Sequence, residues 1–277
     1  MKDIIGLNIA RYRKERNLTQ EELAKQLNIS YQAISKWENG QTKPEISLLP
    51  VLASILNVSI DRLMGYSHKF DPRSLYEEAY NKDEYFWGVQ PSNMCLKVLE
   101  LMPPTKPLSL LDIGCGEGKD SVFFARCGYK VSAFDISDAG IQKTKRLAEE
   151  ANVYVDVFKA NIWDFRLEQK YDILFSSGCL HYIKPELREE IFDNYKEFTV
   201  DGGINALHCF VDKPFINDVP GKPSHSQHWK TGELFTLYYD WYIEECSEYV
   251  FDCNSSGIPH KHASNKMYAR KIKKNTF

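Results

Sequence analysis

Leu110-Leu-Asp-Ile-Gly-Cys-Gly-Glu-Gly118 is an apolar run that passes directly into a turn with glycine at positions 114, 116 and 118. The pattern predicts a strand that feeds a turn at the start of a helix. A ligand can lie against the main chain of such a turn, because glycine has no side chain and tolerates unusual backbone angles. Lys119 stands where a dinucleotide fingerprint has its third glycine, which argues against NAD or FAD. The stretch therefore predicts a site for another nucleotide-like cofactor.

A second strand is predicted over Tyr129–Asp135, at the spacing of one strand-helix-strand unit. Its terminal carboxylate, Asp135, can accept hydrogen bonds from two ribose hydroxyls, and such charge-assisted bonds are strong. The two segments together resemble the first motif and the ribose-binding acid of the class I S-adenosylmethionine-dependent methyltransferases. The resemblance implies S-adenosylmethionine as cofactor. It also implies these cofactor-binding residues: Asp112, Gly114, Cys115, Gly116, Gly118, Asp135, Ile136, Asn161, Ile162, Ser177 and Trp87. The family often has Asp at the position of Asn161.

The rest of the chain continues to alternate between strands and helices. We predict a helix from Ser137 to about Ala151, strands over 153–158, 171–176 and 203–210, a helix over 185–198, and two closing strands. This order predicts an α/β Rossmann-like fold with a mostly parallel seven-stranded sheet and an antiparallel C-terminal strand. Parallel sheets bind ligands at the carboxyl ends of their strands. Asn161, Ile162 and the segment 177–182 should therefore lie beside the glycine turn.

Aromatic residues are concentrated ahead of the first strand, in Tyr85-Phe-Trp-Gly88. Such a cluster usually belongs to a hydrophobic core. In many methyltransferases the segment at this position covers the cofactor, so that a lid containing Trp87 is the alternative. Both interpretations are open from the sequence.

The first 66 residues have a different character. Thr19 with Glu22 forms a capping-box pattern before a second helix, Ser30 can cap a third helix, and Asn39-Gly40 can end it. Two short helices across a tight turn make a helix-turn-helix. The segment from Leu18 to Pro44 resembles the Cro and phage-repressor family of DNA-binding domains. We therefore predict a multidomain protein: an all-α five-helix domain over 1–66, a linker over 67–74 and the methyltransferase domain over 75–277.

The resemblance implies double-stranded DNA as a partner and a homodimer as the binding form. The charge supports this only weakly, because residues 1–66 hold nine Lys and Arg against seven Asp and Glu. Local phosphate contacts matter more than net charge, and the candidates are Arg11, Arg13, Lys14, Lys36 and Lys43. The helix that begins after Ser30 should enter the major groove, where an amide such as that of Gln32 can read adenine. The predicted DNA-binding residues are Gln20, Tyr31, Gln32, Ser35, Lys36 and Lys43. The alternative is a domain that contacts only protein.

Composition and cysteine usage exclude several classes of protein. No apolar run is long enough to span a membrane, and the first residues lack the pattern of a signal peptide, so that we expect a cytoplasmic protein. The seven cysteines contain no C-x-x-C pair, which predicts neither a disulfide framework nor a metal site.

The tail refines the family. The tail contains a helix-to-strand pattern over 231–241, the segment Pro259-His-Lys-His262 and a last strand ending at 267–271. Together with the glycine motif, it resembles the tellurite-resistance (TehB-type) methyltransferases over residues 75–273. This implies a small methyl acceptor, such as a tellurium or selenium oxyanion or a thiol. The catalytic candidates are His181, His260 and His262, which could bind an oxyanion or move a proton near neutral pH. Alternatively, His181 faces a neighbouring helix and the His pair lies in solvent.

The sequence leaves three hypotheses. The first is a DNA-binding regulator fused to a small-molecule methyltransferase. The second is a repressor whose second domain only senses S-adenosylmethionine or a metabolite. The third is an enzyme with a docking module that does not bind DNA. DNA is not the expected acceptor, because the chain lacks both the Pro-Pro-Tyr and the Pro-Cys elements of DNA methylases.

Overall fold

The structure is a computed structural model that describes residues 4–56, 58, 60–64, 73–216, 229–254 and 259–273. The chain divides into two compact units, Met1–Asp71 and Pro72–Phe277. The division falls within the predicted linker 67–74, of which residues 67–72 lie outside the described part of the chain.

The N-terminal unit is an all-α domain of five helices around one core, as predicted. The helices are α1 (Ile4–Glu15), α2 (Gln20–Leu27), α3 (Tyr31–Glu38), α4 (Leu49–Leu56) and α5 (Ile60–Leu63). Both predicted helix starts are present. The Thr19 hydroxyl accepts a hydrogen bond from the Glu22 amide at 3.1 Å, while the Glu22 carboxylate accepts one from the Thr19 amide at 2.7 Å. Ser30 caps α3 by accepting from the Ala33 amide. Because these bonds satisfy amides at the helix starts, they fix where α2 and α3 begin.

A buried ion pair joins α1 to α3. The Arg13 guanidinium donates to both carboxylate oxygens of Glu38, at 2.6 and 3.0 Å, and to the Leu18 carbonyl at 2.6 Å. Gln20 donates its amide to the same Glu38 carboxylate at 2.8 Å. Arg13 is only 8% exposed, so that the prediction of a phosphate contact from this side chain is wrong. Its charge stabilises the domain instead.

The C-terminal unit contains the predicted α/β fold. Its helices are α6 (Arg73–Tyr80), α7 (Asn93–Leu101), α8 (Lys119–Cys127), α9 (Asp138–Glu150), α10 (Pro185–Glu197) and α11 (Glu233–Thr236). Its strands are β1 (Ser109–Ile113), β2 (Lys130–Asp135), β3 (Val155–Lys159), β4 (Tyr171–Ser177), β5 (Thr199–Val211), β6 (Tyr242–Cys253) and β7 (His260–Arg270).

The seven strands form one sheet in the order β3-β2-β1-β4-β5-β7-β6. β1 to β5 pair in parallel, and β7 is antiparallel to both β5 and β6. This confirms the predicted mostly parallel sheet with an antiparallel C-terminal strand. The order reverses between β1 and β4, which opens a crevice at the carboxyl ends of these strands.

Both faces of the central strands are buried. Leu111 and Leu174 belong to the core on one face of the sheet, whereas Leu110, Ile173 and Phe175 belong to the core on the other. Neighbouring residues of a strand point to opposite faces, so that a strand covered on both sides reads as a continuous apolar run. This is why the stretch Leu110–Ile113 is almost entirely apolar.

The buried ion pair predicts a large stability loss for Glu38→Ala in the N-terminal domain. Removing one partner of a buried pair costs about 3–5 kcal/mol, which is comparable to the whole stability of a domain of this size. We expect a two-step thermal transition in which the step of the N-terminal domain moves to lower temperature. Glu45→Ala, at an exposed glutamate of the same domain, is the control. Equal shifts in the two variants would contradict the assignment.

Low pH should also destabilise the N-terminal domain of the wild-type protein. Burial opposes ionisation of Glu38, but the hydrogen bonds from Arg13 and Gln20 outweigh it and lower the pKa of this carboxyl. A lowered pKa adds stability at pH values above the unfolded pKa of about 4.3. This stability is lost as the pH falls through the folded-state pKa. The N-terminal transition should therefore decline below about pH 4 in the wild type and less in Glu38→Ala.

Candidate functional site

A cavity of about 280 Å³ opens at the carboxyl edge of the sheet, close to the smallest sites that hold small molecules. Ten of the eleven predicted cofactor residues line it: Asp112, Gly114, Cys115, Gly116, Asp135, Ile136, Asn161, Ile162, Ser177 and Trp87. The eleventh, Gly118, starts α8 with φ +86°, and a Cβ there would collide with Thr144. Gly118 therefore shapes the turn from behind rather than lining the cavity.

The glycine turn and the end of β2 hold each other in place. The Gly116 amide donates to Asp135 Oδ2 at 2.8 Å, and the Ser137 amide donates to Asp135 Oδ1 at 2.9 Å. Burial raises the pKa of Asp135, and these backbone hydrogen bonds partly offset the rise. Gly116 has φ +56°, an angle that glycine adopts at little cost. The Asp135 carboxylate is thus fixed in orientation at the cavity wall.

A second carboxylate lies deeper. Asp112 is 2% exposed and accepts a hydrogen bond from the Ser121 hydroxyl at 2.5 Å. Burial, and then the charge of Asp120, raise the pKa of Asp112 to about 7. A carboxylate that is costly to ionise in the free protein is suited to a positively charged ligand, because the ligand's charge offsets the cost.

An aromatic wall covers one side of the cavity. Tyr76 and Tyr80 of α6 stack with ring centroids 5.5 Å apart, and the Trp87 indole donates to the Tyr80 hydroxyl at 2.9 Å. Phe86 and Trp87 are 42% and 43% exposed, so that the segment around Trp87 is not part of the hydrophobic core. Of the two interpretations of this cluster, the position of Trp87 on the cavity wall favours the cover over the cofactor site.

A buried charge pair anchors this wall to the glycine turn. The Glu117 carboxylate accepts from the backbone amides of Phe86 and Trp87, each at 3.1 Å, and Glu117 is 2% exposed. Lys143 donates both to Glu117, at 2.8 Å, and to the Glu84 carbonyl, at 2.6 Å. Glu117, which lies between the second and third glycines of the motif, therefore positions the aromatic cover.

Another part of the cavity lining carries polar aromatic groups. His181, Tyr182, His208 and Phe210 line it, and the hydroxyls of Tyr182 and Tyr76 lie 3.2 Å apart. Burial, followed by the charges of Lys266 and His262, lowers the pKa of His208 to about 4. His208 is therefore neutral at pH 7. Its buried Nδ1 has no hydrogen-bond partner among the described residues.

The three predicted catalytic histidines lie in two places. His181 is on the cavity wall, 4% exposed, with its ring 4.7 Å from that of Phe210. His260 and His262 do not line the cavity among the described residues; their Nε2 atoms are 2.9 Å apart at the start of β7. His262 stacks on Phe210 with centroids 4.7 Å apart. Phe210 thus both lines the cavity and contacts His262.

The sequence reasoning missed several lining residues: Tyr76, Tyr80, Lys119, Asp120, Phe134, His208 and Phe210. Tyr76 and Tyr80 left a signal, because positions i and i+4 of a helix share a face. His208 and Phe210 left a similar one, since alternate residues at the end of a strand point to one side.

In the N-terminal domain, the predicted DNA-contacting residues lie at the start of α2, on α3 and after it. Tyr31, Gln32, Lys36 and Lys43 are exposed and Ser35 is half-buried. The Gln20 amide is held by Glu38 at 2.8 Å, so that its orientation is fixed. The arrangement presents one amide, one phenol and two lysines on a rigid surface.

Comparisons with known proteins agree with both domains. The family model described as "Tellurite resistance protein TehB" matches residues 75–263, and a helix-turn-helix model matches residues 9–63. The probable S-adenosyl-L-methionine-dependent methyltransferase TehB of Haemophilus influenzae is 29% identical over 170 residues, which cover 60% of this chain and 58% of that protein. The HTH-type transcriptional activator BcrR of Enterococcus faecalis is 37% identical over 82 residues, which cover 28% of this chain and 39% of that protein.

The crystal structure of Haemophilus influenzae TehB superposes with a TM-score of 0.58 at 22% identity, covering 72% of this chain and 66% of that one. This likeness shows the fold. The chain spans less than two thirds of the length of these relatives. No helix in the described part of the chain is both long and apolar enough to cross a bilayer. Since the TehB model covers more than half of its residues, the chain belongs to the TehB family, whose cofactor is S-adenosylmethionine, and it carries an N-terminal helix-turn-helix domain.

Proposed function

We propose that the C-terminal domain transfers a methyl group from S-adenosylmethionine to a small soft nucleophile, such as a thiol or a reduced selenium or tellurium species. The observation that carries the proposal is the Asp135 carboxylate, fixed by the amides of Gly116 and Ser137 on the wall of the cavity. Family membership supports the same reaction class.

The lining residues fit the cofactor. Asp135 would accept hydrogen bonds from the ribose hydroxyls, and the turn at 114–116 lets the cofactor lie against the main chain. Ile136 and Ile162 would pack on the two faces of the adenine, with Asn161 at its edge. Asp112 would offset the positive charge that the bound cofactor carries. Trp87 and Tyr80 would cover the bound molecule and exclude water.

The sulfonium of the bound cofactor supplies an electrophilic methyl group. The protein therefore has to desolvate a soft nucleophile and hold it in line, and no strong general base is required. His181, His208 and the hydroxyls of Tyr76 and Tyr182 form the polar part of the cavity lining. We propose that they orient the acceptor. His260 and His262 would act from behind Phe210.

The N-terminal domain is proposed to bind double-stranded DNA as a homodimer in the cytoplasm. Tyr31, Gln32, Ser35 and Lys36 would face the major groove, and Lys43 and Gln20 would contact the backbone. The likeness to a transcriptional activator favours a second candidate function, in which the methyltransferase domain senses the cofactor. Coupling between the two sites should then change DNA affinity about 5- to 150-fold on adding S-adenosylmethionine. Turnover of tellurite, selenite or a thiol under reducing conditions, with no such change, would exclude the sensor.

The ribose contact predicts that Asp135→Asn weakens cofactor binding. Hydrogen bonds to a charged acceptor contribute about 1.5–3 kcal/mol, so that affinity should fall roughly 10- to 150-fold, measured by calorimetry. Methyl transfer at low cofactor concentration should fall by a similar factor. Asp156→Asn, at an exposed carboxylate of β3, should change neither quantity. An unchanged affinity in a folded Asp135→Asn protein would remove the assignment.

Asp112 predicts a pH dependence of stability in the cofactor-free protein. Because its folded pKa of about 7 exceeds the unfolded value of about 3.9, the stability present below about pH 4 is lost as the pH rises to about 7. The difference in unfolding midpoint between Asp112→Asn and the wild type should grow from pH 5 to 7 and then level off. Titration of His208 is common to both proteins and cancels. A difference that is constant with pH would refute the shift.

The exposed face of α3 predicts separate roles in DNA recognition. After selection of a site from a random duplex pool, Gln32→Ala should lose discrimination worth about 1–3 kcal/mol at one base pair. Lys43→Ala should instead weaken binding to all sequences and reduce the salt slope by about one. Lys25→Ala, at an exposed lysine outside the proposed contacts, is the control. A pool from which nothing is enriched at low salt would favour a docking module.

A further inference from the structure

Three side chains of metal-binding type meet at the end of the β6-β7 hairpin. Cys253 ends β6 and pairs directly with His260, the first residue of β7. One ligand atom from each of Cys253, His260 and His262 lies within 4.8 Å of the other two. All three side chains are half-buried. The cluster, defined as Cys253, His260 and His262, forms only through strand pairing, because six residues separate the cysteine from the first histidine.

The donor set is that of a borderline-soft cation. One sulfur and two imidazole nitrogens suit Zn²⁺, which is bound tetrahedrally at about 2.3 Å from sulfur and about 2.0–2.1 Å from nitrogen. The Nε2 atoms of His260 and His262 lie 2.9 Å apart, bridged by a hydrogen bond. A tetrahedral ion in place of that bridging proton would need the two atoms about 3.3 Å apart. The two Nε2 atoms would therefore have to separate by a few tenths of an ångström.

The surroundings restrict the ring of His262. It stacks on Phe210, with centroids 4.7 Å apart, and lies tilted beside Phe251, with centroids 5.7 Å apart. An apolar shell of this kind fixes ligand orientation and limits access of water to a metal. Three protein ligands leave a fourth position, as in sites where zinc binds water or substrate.

The cluster is adjacent to the cavity. β6 ends and the antiparallel β7 begins at the edge of the sheet where β1 and β4 end, so that the hairpin and the cavity share one edge. Phe210 lines the cavity and contacts His262.

We propose that Cys253, His260 and His262 bind one Zn²⁺ ion whose fourth position takes the thiol or selenol acceptor at the mouth of the cavity. The role in acceptor binding rests on the proposed methyl transfer, whereas the metal site does not. Coordination lowers the pKa of the acceptor thiol, whose proton passes to solvent, and leaves a thiolate bound to the metal. The cluster thereby supplies the soft nucleophile in its reactive form. It also gives the two histidines a role that does not require them to line the cavity.

Substitution of Co²⁺ for Zn²⁺ in the full-length protein tests the metal site without any methyl transfer. We expect about one Co²⁺ per chain with a thiolate-to-cobalt charge-transfer band in the near ultraviolet. Cys253→Ser should abolish the band. His260→Ala and His262→Ala should each weaken binding by more than the roughly 10- to 100-fold that loss of an outer partner costs. Cys246→Ser, at the exposed cysteine of the same strand, should leave both unchanged. Circular dichroism and cofactor affinity verify that each variant is folded.

The absence of the band in the wild type, or its persistence in Cys253→Ser, would overturn the metal site. Adding 2-mercaptoethanol without cofactor should intensify the band as a second thiolate binds, and an unchanged spectrum would overturn the acceptor role. These results are independent of turnover. A protein that binds Co²⁺ but methylates nothing would retain the metal site and lose the proposed function. Methyl transfer that is equal in Cys253→Ser and the wild type would retain the proposed function and overturn the role of the metal in binding the acceptor.

Discussion

The hydrogen bonds from the Gly116 and Ser137 amides to Asp135 are the constraint on which the proposed cofactor site depends. They join the turn after β1 to the end of β2, so that the position of the glycine turn and the orientation of the carboxylate are set together. Ionising the Asp135 carboxyl at this position is costly by itself, because burial raises its pKa. Two backbone amides offset that cost without occupying every acceptor position of the carboxylate. The remaining acceptor positions of the carboxylate face the cavity and are already oriented before a ligand binds.

The same turn also controls the cover of the site. Glu117 lies between two glycines of the motif, yet its carboxylate binds the amides of Phe86 and Trp87 and the ammonium of Lys143. A buried pair of this kind contributes less to net stability than to a unique geometry. The aromatic segment is therefore fixed relative to the cofactor turn although it is exposed to solvent. The turn, the carboxylate and the cover form one connected hydrogen-bonded unit.

Local patterns predicted the fold and most of the cavity wall around the glycine turn, because a strand, a glycine turn and a terminal carboxylate are contiguous in the chain. The capping residues Thr19 and Ser30 likewise marked the helices of the first domain. The failures concern long-range contacts. The partner of Arg13 is Glu38, 25 residues away. The residues around Arg13 in the sequence give no sign that this arginine is buried. The strand boundaries were also imprecise, since β5 begins at Thr199 rather than at 203.

The proposed acceptor side was the least predictable part for a physical reason. Its residues come from α6, the segment after β4, β5 and the β6-β7 hairpin, and the hairpin reaches β5 because β7 inserts between β5 and β6 in the sheet. Cys253 and His260 face each other across that pairing, whereas their spacing in the chain matches no familiar metal motif. A change in the hairpin can therefore alter the acceptor side without disturbing Asp135 or the glycine turn. Such independence allows one cofactor scaffold to serve different acceptors, and it places substrate choice in the part of the fold that a linear motif describes least.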